Sequence, residues 1–211
     1  AHSSYGNALL AEGRVNEADE QYKEALRIDP DCCDARCNLG NIYLQQGHMD
    51  EAMAQYQMAL VANPDSALAR YNMGNALGIL GRRDDAVVQY QMAIQKEPTM
   101  PEANNNLGII RLQSGHTAEA IELFSEALKG NPKYVEAESN LGAALLTAGR
   151  RDEAIAAMQR ALQLDPANAS IKNNVAWLLA AGPKDNADDA EKAVQLATQA
   201  NQATGGQNPA F

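Results

Sequence analysis

Apolar residues along this chain recur at helical spacing and are interrupted at regular intervals by glycine. The stretch "NLGNIYLQQGHMDEAMAQYQMAL", from Asn38 to Leu60, reads as an amphipathic helix, a glycine break and a second amphipathic helix. Shifted by 34 residues, the skeleton returns as "NMGNALGILGRRDDAVVQYQMAI", from Asn72 to Ile94. The same step aligns Gly6, Gly40, Gly74, Gly108 and Gly142, with Ala176 in the sixth place. The residue before each is apolar: Tyr5, Leu39, Met73, Leu107, Leu141 and Val175. A second glycine follows in five units, at Gly13, Gly47, Gly81, Gly115 and Gly149. Then come an alanine (Ala18, Ala52, Ala86, Ala120, Ala154), a large residue (Tyr22, Tyr56, Tyr90, Phe124, Met158) and another alanine. Each unit closes on proline, at Pro30, Pro64, Pro98, Pro132 and Pro166.

These recurrences have direct physical readings. The second glycine suits the left-handed residue that ends a helix. The proline stops the following helix, because it has no N–H and restricts the residue before it. Alanine, aromatic and alanine at i, i+4 and i+7 lie on one helix face. Small residues there let paired helices approach closely, and the aromatic fills the space between units. The pattern predicts tandem helix-turn-helix repeats.

With Gly40 as position 8, the repeats run over about 1–32, 33–66, 67–100, 101–134, 135–168 and 169–211, a single array. The first would begin two residues before Ala1, so the reading expects a piece of a longer chain. The sixth repeat is irregular. Its first helix, "SIKNNVAWLLAAG", is followed by an apparent insertion, "PKDNA". A helix over about 188–203 then packs through Ala193, Ala197 and Ala200, and "TGGQNPAF" stops where a seventh repeat could start.

This series of residues resembles the tetratricopeptide repeat (TPR) family, whose 34-residue motif places leucine, glycine and tyrosine in the first helix and alanine, aromatic, alanine and proline in the second. The motif's early tryptophan is missing, its tyrosine survives only at Tyr43, and Met158 replaces one aromatic. The strict 34-residue step and the acidic balance separate the chain from the RNA-reading pentatricopeptide repeats. The resemblance implies an all-α fold: a right-handed α-solenoid superhelix of about six TPR helix-turn-helix repeats, with the first helices lining the concave side.

An asparagine recurs at position 6, as Asn38, Asn72, Asn106, Asn140 and Asn174, with Ser4 in the first repeat. On a helical wheel, positions 7, 11, 4 and 8 cluster within about 100° and carry the leucines and glycines. Positions 9, 2, 13 and 6 fall at about 200° to 260°, opposite the core. Position 9 holds Asn7, Asn41 and Asn75, and position 5 holds Tyr71, Asn105 and Asn173 among others. Two readings stand side by side. In one, the amides make hydrogen bonds between neighbouring repeats. In the other, which is preferred here, they bind a guest. A carboxamide carries both donor and acceptor and so can pair with a peptide unit whatever its side chain. The superhelical TPR segments of O-linked N-acetylglucosamine transferases have a similar asparagine ladder. The candidate peptide-binding residues are therefore Asn38, Asn41, Asn72, Asn75, Asn106, Asn140 and Asn174, with Tyr71, Asn105 and Asn173.

Charge narrows the partners. The chain carries a net charge of −10, which disfavours a phosphate-binding surface and hence nucleic acid. Chaperone-binding TPR domains hold a C-terminal carboxylate with lysines and arginine at positions 5, 2 and 6. This chain has no cation at those places. Acids at position 2, Asp34, Glu102 and Glu136, suggest a neutral or mildly basic guest. No apolar run reaches the roughly 20 residues needed to cross a bilayer.

Cys32, Cys33 and Cys37 are an odd cluster, without the histidine that would help complete a zinc site, and are read as structural or incidental thiols of a reducing compartment such as the cytoplasm. His48 and His116, like Arg82-Arg83 and Arg150-Arg151, occupy the turn after the interhelix glycine and are read as solvated. Trp177 is read equally as a groove anchor or as packing under the irregular end. No phosphate loop, dinucleotide fingerprint or nucleophile elbow is present, and no cofactor is expected. The expected function is a non-catalytic scaffold that binds an extended peptide or partner protein in the concave groove, with weak end-to-end self-association. The alternative is the substrate-recruiting segment of a larger enzyme such as a glycosyltransferase.

Overall fold

The computed structural model describes residues 1–181 and 187–203. Every element among them is a helix, and the helices come in pairs. The pairs are α1 (His2–Ala11) with α2 (Val15–Ile28), α3 (Cys33–Gln45) with α4 (Met49–Ala62), and α5 (Ala67–Ile79) with α6 (Arg83–Lys96). They continue as α7 (Pro101–Gln113) with α8 (Thr117–Gly130), α9 (Val135–Thr147) with α10 (Arg151–Leu164), and α11 (Ala169–Ala180) with α12 (Ala187–Ala203). The "PKDNA" and "TGGQNPAF" segments lie outside the described residues, apart from Ala187, which opens α12. The helix expected over 188–203 forms, with Ala193 and Ala200 buried and Ala197 half-buried. The chain divides into two compact units, Ala1–Ala103 and Asn104–Phe211.

The glycine after each of the first five first helices closes it as its spacing predicts. Gly47 has φ +79°, the left-handed conformation that a side chain would strain. Its N–H donates to Leu44 O at 3.1 Å, and the His48 N–H donates to Tyr43 O at 2.8 Å. This is the paired bonding of a Schellman cap, which satisfies the last carbonyls of α3 and turns the chain back within three residues.

Within the first five pairs the first-helix glycine receives the large residue of the second helix. A Cβ on Gly40 would stand 2.5 Å from Cε1 of Tyr56, so any side chain there would displace a fully buried ring. The same seat holds Tyr22, Tyr90, Phe124 and Met158 against their glycines. Ala18, Ala52, Ala86, Ala120 and Ala154 are all completely buried, so at that level of the pair only a methyl group has to be accommodated. The aromatic also reaches the next repeat. Tyr22 shares a core with Ala35, Leu39 and Ile42 of α3.

Side chains at the helix starts fix the joints between repeats. Ser66 Oγ accepts from the Ala69 N–H at 3.2 Å, and Asn168 Oδ1 accepts from the Ile171 N–H at 3.2 Å; both are N-caps. Arg36 donates to the Pro30 carbonyl at 2.8 Å and to Gln55 Oε1 at 3.3 Å. Arg70 repeats this on Pro64 and Gln89, 34 residues later. In the fifth repeat the corresponding residue is Glu138, buried and gripped by both Nε and Nη2 of Arg160, at 2.8 and 3.0 Å.

Candidate functional site

The position 9 asparagines come first, because their hydrogen bonds explain their presence. The Tyr56 hydroxyl donates to Asn41 Oδ1 at 2.7 Å. Tyr22 donates to Asn7 at 2.6 Å and Tyr90 to Asn75 at 2.7 Å. The tyrosine ring is buried, so its hydroxyl needs an acceptor, and a carboxamide one helix away supplies it, half-buried at Asn41 and Asn75 and exposed at Asn7. Where the large residue has no hydroxyl, the partner is apolar: Phe124 goes with Ile109, and Met158 with Ala143. Asn41 and Asn75 thus spend their acceptor inside their own repeat. Their Nδ2 donors are not used by those bonds.

The position 6 amides divide into different environments. Asn38 Nδ2 donates at 2.9 Å to Asn7 Oδ1, the same oxygen that accepts from Tyr22, so one carboxamide ties two repeats together. Asn140 Nδ2 donates at 2.9 Å to Asn105 Oδ1, again in the preceding repeat. Asn106 is half-buried and accepts from Asn105 Nδ2 at 3.4 Å. Asn174 is exposed and Asn173 half-buried. Tyr71 is half-buried with its ring 6.2 Å from that of Tyr90.

Asn72 and Asn105 depart from the wheel. Each is only 4% exposed, although the wheel turns Asn72 away from the core. A wheel describes one helix against one partner. Here the first helix of one repeat also touches the first helix of the next, as α5 does α3, and part of the polar face is covered by that contact. The Asn72 carboxamide sits beside the buried Cys37 thiol. Burial, and then the neighbouring Cys33, push the Cys37 thiol up. Cys33 Sγ itself contacts Ser66 Oγ at 3.3 Å. No group of three or more histidine, cysteine or acidic residues among the described residues is placed to hold a metal ion.

An open groove lies on the first helices of the second unit. It has a volume of about 430 Å³ and runs over α7, α9 and the start of α11. Asn105 and Asn140 line it together with Ile109, Ser139 and Ile171. Two predicted amides therefore sit side by side on a surface that also offers apolar contact. Position 9 of α11 is Trp177, which is 51% exposed; its ring is not packed away under the last pair.

Three family models describe these repeats. "TPR repeat" matches residues 6–47 and 40–81, and two "Tetratricopeptide repeat" models match 71–135 and 111–178. Together they account for most of the chain, and the two "TPR repeat" matches start 34 residues apart, the spacing of the glycine seats. The chain belongs to the tetratricopeptide repeat family.

Solved TPR structures agree with the fold. Pseudomonas aeruginosa pilF superposes with a TM-score of 0.86 over 98% of this chain and 91% of its own, at 22% identity. MamA gives 0.61 over 78% and 96%, at 26% identity. YrrB, reported as a TPR protein with an unusual peptide-binding site, gives 0.68 over 88% and 93%, at 20% identity. No curated protein sequence matches this chain significantly. Among the described residues no helix is long and apolar enough to cross a membrane.

Proposed function

We propose that this TPR chain is a non-catalytic scaffold that binds an extended segment of a partner protein on the faces made by its first helices. The observation that carries this reading is the groove over α7, α9 and α11. It is open, mixes apolar and amide lining, and belongs to the helix face on which the repeated asparagines lie. Asn140 gives its Nδ2 to Asn105, and that bond leaves its Oδ1 as an acceptor for a main-chain N–H of the guest. The similarity of the amide ladder to that of O-linked N-acetylglucosamine transferases supports a grip on the guest's backbone. YrrB, a fold relative, is reported with a peptide-binding site, which supports a peptide as the class of ligand.

A second reading is favoured by a specific observation. The Asn38–Asn7 and Asn140–Asn105 bonds join neighbouring repeats, so these amides also serve as internal ties. The two roles are compatible in one carboxamide, which has two donor hydrogens and two acceptor sites.

Nuclear magnetic resonance separates them. Asparagine side-chain NH2 groups give their own signals in a 15N-labelled sample. A peptide selected from a random library on the intact chain should shift the NH2 signals of Asn105 and Asn140 and the backbone signals of α7, α9 and α11. Shifts confined to the second helices, or no peptide selected at all, would overturn the proposal.

A further inference from the structure

The same groove has a charge pattern that the amides do not explain. Glu136, near the start of α9, and Asp165, just before α11, both line it. Asp165 accepts from the Ala167 N–H at 3.3 Å and from Asn168 Nδ2 at 3.1 Å, bonds that fix its carboxylate without neutralising it. Glu136 is exposed. Among the described residues, neither forms an ion pair, whereas Glu138, two residues along the same helix, is fully engaged by Arg160. Val135, Ile171 and Ile109 line the same groove. Two negative charges without an ion pair therefore line a trough of about 430 Å³ that also offers three aliphatic side chains, in a chain that already carries a net charge of −10.

We infer that this trough is a side-chain pocket for a lysine or arginine of the bound segment. The inference rests on the peptide-binding reading above and adds the residue that the guest must carry. Lysine and arginine are long apolar stems ending in a cation, and they bury the stem along apolar surface while the head stays in polar surroundings. Here the stem runs over Val135, Ile171 and Ile109, and the head meets Glu136 and Asp165. An acidic side chain in the same place would face two like charges, so the pocket rejects as well as selects. Asn140, on the pocket wall, is placed to take the guest's main chain next to the basic residue, which sets the register of the segment.

Selection from a random linear peptide library displayed on phage tests this directly. On the unaltered chain, the selected peptides should carry lysine or arginine at one aligned position. A fluorescein-labelled synthetic peptide from that pool should bind E136Q/D165N about tenfold more weakly at physiological salt, in line with the loss of charge-assisted contacts. Replacing the peptide's basic residue by alanine should cost a similar factor, and doing both should cost little more than either alone. The glutamine and asparagine keep the size and hydrogen-bonding capacity of the acids. E136Q alone, at an exposed residue that forms no ion pair, gives a second reading in which folding is not at issue. Selected peptides with no basic preference, or an affinity unchanged in E136Q/D165N, would overturn the pocket while leaving peptide binding in place. Failure to enrich any peptide would overturn both.

Discussion

Replacing Asn41 should cost more than removing the hydroxyl it serves. Tyr56 is completely buried and donates to Asn41 Oδ1 at 2.7 Å, while Asn41 is half-buried and open to water on one side. In Tyr56→Phe the stranded group is the carboxamide oxygen, which water can reach, so the cost is that of one ordinary hydrogen bond, about 0.5–1.5 kcal/mol. In Asn41→Ile the stranded group is a buried hydroxyl, which costs about 1–3 kcal/mol. The double variant copies the Ile109 and Phe124 pair of the fourth repeat, so both polar groups leave together and the result should be close to neutral. The coupling between the two changes should then be at least about 1 kcal/mol. Urea unfolding followed by circular dichroism measures all four proteins, and for a chain of this size about 1 kcal/mol moves the thermal midpoint by about 2–4 °C. Additive costs, or a Tyr56→Phe variant less stable than Asn41→Ile, would refute the pairing as the reason for position 9 asparagine.

Two glycines in first helices should respond oppositely to alanine. Gly40→Ala places a methyl 2.5 Å from the Tyr56 ring and should lower stability by about 1–3 kcal/mol, whereas Gly78→Ala meets nothing and should raise it by about 0.5–1 kcal/mol; denaturation midpoints compare them. Burial pushes up the Cys37 thiol and the Tyr22 and Tyr56 hydroxyls, so the folded form favours their protonated states. Their stabilisation is complete below the ordinary values, about pH 8.5 for the thiol and about pH 10 for the phenols, and is lost as pH rises beyond them. An alkaline stability profile should fall in that window and flatten at its lower end in Cys37→Ala; an unchanged profile in that variant contradicts the assignment. Arg160→Ala leaves the buried Glu138 carboxylate without its cation and should destabilise by about 3 kcal/mol, more than Glu138→Gln, as read by thermal melts.

The helix pairs, their boundaries and the glycine seats were legible because each depends on local chemistry repeated at a fixed step. Gly47 must take a left-handed turn, and Gly40 must leave room for Tyr56. The wheel failed at Asn72 because burial there comes from the next first helix, a contact between residues a full repeat apart. The Tyr–Asn pairing was present in the sequence as a covariation within the chain: tyrosine with asparagine three times, phenylalanine with isoleucine, methionine with alanine. It was missed because position 9 was read on its own helix and not against the hydroxyl opposite. The groove lined by Asp165 and Ile171 draws on a loop and two helix starts, which no single-helix periodicity brings together.

Affinity per folded molecule in the double variant Asn105→Ala, Asn140→Ala tests the central claim most directly, because these two amides line the groove. Each net hydrogen bond contributes about 0.5–1.5 kcal/mol, so removing both amides should weaken a library-selected peptide by about fivefold or more. Because Asn105 is buried and Asn140 ties to it, the unfolding midpoint is measured on the same sample and the affinity is referred to the folded fraction. The account predicts weaker binding by protein that is still folded. A lowered midpoint with the affinity of the folded molecules preserved would mean that the asparagines hold the repeats together and do not hold the guest.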